Sequence, residues 1–132
     1  VTLTDQPPAD LLLPTADDIA YTLTIAAAVV EANGLMKGGL YDTDAYEKGT
    51  PREQCRVCTV GAIHTAVAGT PVIGLSEDGD LQPNVILADM ARAALGHHIG
   101  YGVPAWNDNP ERTAEDVVTA MRETAASLRE TA

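Results

Sequence analysis

Apolar residues recur at helical spacing in four places along this chain, and Gly- and Pro-rich stretches separate them. In the first, Ile19, Leu23, Ala26, Ala27 and Val30 fall on one face. Thr15 stands ahead of them as an N-cap, with Asp18 three residues on in a capping-box arrangement. Asp17 and Asp18 suit the positive end of the helix dipole, and Asn33-Gly34 marks a C-terminal stop. A second helix is expected over about residues 52–67, ended by Gly69-Thr70-Pro71. Within it, residues 55–67 hold both cysteines, one histidine and the small residues Gly61, Ala62 and Ala66. Small residues permit close backbone approach, so this segment reads as a central helix wrapped by the others. A third helix follows Pro83, capped by Asn84, with Ile86, Met90, Ala94 and Leu95 inward and Gly96 at its end. The fourth is capped by Thr113 with Asp116 three later, and carries Val117, Met121, Ala125 and Leu128 as one stripe.

The intervals read as irregular. Pro7, Pro8 and Pro14 forbid a regular helix over residues 1–14, which are read as an arm, with Leu11-Leu12-Leu13 to pin it down. Residues 35–51 predict a loop with a short extended piece around Gly39-Leu40-Tyr41. Asp78-Gly79 between short apolar flanks is equally compatible with a hairpin and an ordinary loop. Gly100, Gly102 and Pro104 keep the approach to Trp106 irregular. The expected fold is mainly α: a compact bundle of about four helices, one domain over residues 15–132 behind the arm.

Composition narrows the function classes. The chain is 45% hydrophobic but only 4% aromatic, with no Phe, so its core is aliphatic and its helices pack closely. Nineteen acidic against eight basic residues give a net charge of −11, which repels phosphate backbones and argues against direct nucleic-acid binding. A protein partner suits that charge better, and a homo-oligomer is left open. No apolar run reaches membrane-spanning length, and the start Val1-Thr2-Leu3-Thr4-Asp5 does not read as a signal peptide. Two cysteines are too few for a disulfide scaffold, which makes a cytoplasmic location the expectation.

Three constellations carry candidate chemistry. Cys55 and Cys58, on one face if helical, need His64 or the pair His97-His98 to complete a zinc site; the alternative is two small buried side chains. Cys58 with a histidine and Asn107 or Asp108 has the residue types of a cysteine nucleophile, although it sits in the most apolar stretch. Asp78-Gly79-Asp80 lacks the continuing ligands of a calcium loop and reads as a turn. The third constellation is Trp106-Asn107-Asp108, the only Trp within a polar turn. It reads first as an anchor, with the ring lying against Gly61 and Ala62, and second as a recognition surface together with Arg112.

Cys58-Thr59-Val60-Gly61-Ala62-Ile63, Trp106-Asn107-Asp108 and Arg112-Thr113-Ala114-Glu115-Asp116-Val117 occur in this order. Over residues 19–128 the chain thereby resembles a family of small uncharacterised proteins of actinobacteria and their phages. That family's pattern is Cys-x-x-Gly-Ala, Trp-Asn-Asp and Arg-Thr-x-x-Glu/Asp-Val, and Cys55 is additional to it. The resemblance implies a helical fold, a phage or actinobacterial setting, and no activity. The leading expectation is a non-enzymatic domain that binds a protein, of the host if the chain is phage-encoded. The alternatives are a small metal- or cysteine-dependent enzyme and an acidic nucleic-acid mimic.

Overall fold

A computed structural model describes residues 13–73 and 83–131. The arm up to residue 12 and the Asp78-Gly79 turn lie outside the described residues. The elements are α1 (Ala16–Asn33), α2 (Thr43–Glu47), a 3-10 turn (Arg52–Gln54), α3 (Thr59–Ala68), α4 (Pro83–Ile99), α5 (Val103–Asp108) and α6 (Ala114–Thr131). The protein is mainly α, and the described residues contain no strand beyond two isolated bridges, which pair Val57 with Leu35 and with Tyr41.

Helix α1 begins as its sequence predicts. Thr15 Oγ1 accepts the Asp18 N–H at 3.1 Å, and Asp18 Oδ2 accepts the Thr15 N–H at 2.9 Å. Gly34, at φ +95°, closes it. α6 carries the same device through Thr113 and Asp116. These two 18-residue helices form the most extensive helix pair, and α3 packs next most closely on α1. The core is aliphatic: Leu23, Ala26, Ala27 and Val30 of α1 meet Ile63, Leu95, Val117 and Met121, all essentially inaccessible to solvent.

Four expectations are corrected. The second helix does not run from 52: after the 3-10 turn the chain is extended, and α3 starts only at Thr59, with Cys58 as its N-cap. The reason is the backbone. The 56–58 segment gives its amides and carbonyls to the 34–42 loop, with Val57 N–H to Gly34 O at 3.1 Å, Met36 N–H to Val57 O at 2.8 Å, Asp42 N–H to Arg56 O at 2.9 Å and Cys58 N–H to Leu40 O at 3.1 Å. α4 does not stop at Gly96 but continues to Ile99, where Gly100 at φ +76° takes the left-handed position. Asn84 lies inside that helix, not at its cap, and Ile86 points outward while Ala88 and Ala91 take the buried face. Two short helices were not anticipated. α2 is capped by the Asp42 carboxylate on the Ala45 N–H, and α5 opens with Pro104 in its first turn, where a missing N–H costs nothing.

Candidate functional site

The residues singled out around Cys58 and Trp106 converge on one junction, where the N-terminus of α3 meets α5 and the 34–42 loop. Asn107 is its hub. It is buried, and its Oδ1 accepts both the Thr59 N–H at 2.8 Å and the Thr59 hydroxyl at 2.6 Å. Its Nδ2 donates to the Met36 carbonyl and to Asp108 Oδ1, each at 3.0 Å. Both lone pairs and both protons of the amide are thus satisfied, as a buried side-chain amide requires. Asp108 Oδ1 also accepts the Gly38 N–H at 3.0 Å. That bond, with the Asn107 amide, holds the Asp108 carboxyl below the usual carboxylate range.

Trp106 is buried, and the Arg112 guanidinium lies over its ring at 4.3 Å while Arg112 Nε donates to the Trp106 carbonyl at 3.0 Å. The ring does not lie on Gly61 as expected. The space above Gly61 belongs to the Leu40 carbonyl oxygen, only 2.2 Å from where a Cβ would stand. Sequence reasoning missed Leu40, Met36 and Gly38 as members of the junction. The one signal available was a glycine inside an apolar helical run, which marks close backbone approach.

Cys58 Sγ caps α3 by accepting the Gly61 N–H at 3.3 Å. Burial pushes its thiol up, and the Gly61 and Val60 amides only partly oppose this. It lines a cavity of about 270 Å³ shared with Gly39, Leu40, Arg92, Pro104 and Asp108. No histidine is in that lining. His64 borders a neighbouring cavity of about 290 Å³, with Nδ1 2.8 Å from the Pro71 carbonyl; Val60 and Arg92 are common to both walls.

The helical-face argument for a Cys55–Cys58 metal pair does not hold, because Cys55 lies outside any helix. Its Sγ is 3.4 Å from the Pro51 carbonyl, and burial raises its thiol, with Asp42 adding to the effect. Both thiols are free. His97 is exposed at the end of α4, and His98 Nε2 is 3.5 Å from Glu123 of α6. Among the described residues no group of three or more His, Cys, Asp or Glu side chains is placed to hold a metal, nor is any helix long and apolar enough to cross a membrane.

Fold and junction together define a small helical domain in which a buried asparagine fastens an irregular loop to a helix N-terminus. The chain belongs to the family of unknown function DUF6197, whose model matches residues 14–127. No curated protein and no solved structure matches it significantly.

Proposed function

We propose that this chain is a non-enzymatic protein-binding domain, of actinobacterial or phage setting, acting inside the cell on a host protein. The observation that supports it is the outward face of α1. Between Asp18 and Glu31 this helix has no charged side chain, although only one side of it packs on the core. Tyr21 is 63% exposed, Ile25 is half-buried, and Ala28 and Ala32 are exposed. At i, i+4, i+7 and i+11 these four form one stripe, and Leu13, 75% exposed, precedes the helix. An uncharged helix face on a chain of net charge −11 fits burial by a partner.

The test is affinity capture from an actinobacterial lysate with the parent chain and an Ala28→Arg variant. The reading expects a partner held by the parent and lost by the variant, with equal melting temperatures for the two chains. Identical captures from both chains, or no capture together with turnover on a hydrolase panel, would reverse it. Sedimentation of the chain alone separates a second copy from a different protein. The cavity beside Cys58 favours a second reading, a thiol-dependent enzyme, in which Asp108 is the carboxylate of the cavity's lining and a histidine base would have to come from outside it.

A further inference from the structure

The chain has only eight basic residues, and three of them, Lys37, Arg56 and Arg112, line one shallow depression of about 580 Å³. Leu35, Met36 and Ala114 complete its lining, so the cations stand around an apolar floor. Each cation is anchored in a way that leaves at least one donor without an acceptor among the described residues. Lys37 Nζ donates to the Asn109 carbonyl and retains two further protons. Arg56 turns Nε and one terminal nitrogen onto Asp42 Oδ2, at 3.1 and 2.9 Å, while its stem lies 3.2 Å from where a Gly34 Cβ would be. Its other terminal nitrogen has no hydrogen-bond acceptor among the described residues. Arg112 is held by the Trp106 ring and carbonyl through its plane and Nε, and both of its terminal nitrogens are likewise without an acceptor there. Arg92, by contrast, lies 3.8 Å from Asp89, and Arg122 turns both terminal nitrogens onto Glu31.

We infer that this depression is a binding site for an organic carboxylate carried on an apolar body, the carboxylate among Lys37, Arg56 and Arg112 and the body on Leu35, Met36 and Ala114. The charge balance selects a monoanion. Asp42 is paired with Arg56, Asp108 feels the charge of Lys37, and Asp116 feels those of Arg112 and Lys37. The three cations are therefore already partly neutralised, and a dianion would meet those acids. Anchored donors lose little freedom on binding, which favours a small ligand. Carboxylate and guanidinium planes also match in shape. The ligand is either a free amphiphilic acid or the C-terminus of a peptide; the chemistry of the contact is the same.

The experiment is an amide chemical-shift titration of the full chain with octanoate, with a short peptide ending in leucine, with octanol, and with inorganic phosphate. Saturable shifts confined to residues 34–38, 56 and 112–116 are expected for octanoate or the peptide, and the tighter of the two identifies the source. Lys37→Met, which keeps the unbranched stem but removes the charge, should weaken binding about fivefold, and added salt should weaken it further. Four results would overturn the inference: no saturable shifts up to about 10 mM carboxylate, equal binding of octanol, equal or tighter binding of phosphate, or unchanged affinity in a folded Lys37→Met chain.

Discussion

Replacing Gly61 by alanine adds one methyl group at the tightest point of the fold. A Cβ there would stand 2.2 Å from the Leu40 carbonyl oxygen and 3.3 Å from both the Leu40 carbonyl carbon and Val57 Cβ. The first is a backbone atom and cannot rotate away, so the loop itself must move. Overpacking of this kind costs about 1–3 kcal/mol. Displacing Leu40 also weakens the bond its carbonyl accepts from the Cys58 N–H at 3.1 Å, for about 1 kcal/mol more. Alanine's better helix propensity offsets at most about 1 kcal/mol. The net destabilisation is about 1–3 kcal/mol, or a melting temperature lower by about 5–15 °C for a domain of this size. Circular dichroism melts of Gly61→Ala and Gly39→Ala beside the parent measure it. Gly39 is the control, since its nearest neighbours to an added Cβ are at 3.9 Å. A Gly61→Ala chain that melts at or above the parent would refute the close approach of loop and helix.

Asn107→Ala removes an amide with four hydrogen bonds and strands the Thr59 N–H and Met36 carbonyl; urea titration should show a loss of about 3 kcal/mol, and under 1 kcal/mol would show the hub is not closed as described. Trp106→Ala should cost about 3–5 kcal/mol and far exceed Asp108→Ala, so an unshifted Trp106→Ala melt sinks the anchor role. Asp42, Asp108 and Asp116 all have folded-state pKa values lowered from 3.8, mainly by backbone N–H groups. Their stabilisation is complete above the unfolded-state value and is lost as pH falls through the folded one. The melting temperature should hold above about pH 5 and drop between about pH 4 and 2, less steeply in Asp108→Asn; an equally steep fall there would remove Asp108 from the account. Both thiols are raised by burial, so iodoacetamide at pH 8 should label Cys58 slowly and Cys55 only after denaturant is added. Rapid labelling of Cys58 at pH 7 would instead favour the thiol-enzyme reading.

The long helices were legible because their signals are local. Thr15 and Asp18 find each other within one turn, as do Thr113 and Asp116, and apolar periodicity then sets the buried face. Of the candidate residues, Cys58, Trp106, Asn107, Asp108 and Arg112 meet at or beside one junction, whereas Cys55, His64, His97 and His98 lie apart from it. What the converging residues do there was not legible. The Asn107 partners at Thr59 and Met36 lie 48 and 71 residues away along the chain, and the segment before α3 is extended because of backbone groups between Gly34 and Asp42, well upstream of it. Periodicity within residues 52–67 cannot report a competing hydrogen-bond partner outside that window. Ile86 went wrong for a related reason. Its spacing suits an inward face, but the closeness of α4 to its neighbours is set by Ala88 and Ala91, and they define which side is buried.

The hydrogen-bonding capacity left over decides where a contact surface can lie. A residue already using every donor and acceptor offers a partner only its shape. Asn107 is in that position, with two bonds on each end of its amide. Trp106 is buried and covered on one face by a guanidinium, so it offers little area. Both were natural candidates for recognition, and both are consumed in closing the junction. Closing it has a consequence a few residues outward. The loop held by Asn107 and Asp108 carries Lys37 beside Arg112, which the same Trp106 holds in place, and the strand-like segment it pairs with carries Arg56. Loss of Asn107 should therefore scatter the three cations even where the helices survive. A chain with Asn107→Ala that keeps its helical signal but still binds octanoate like the parent would show that the junction and the depression are independent.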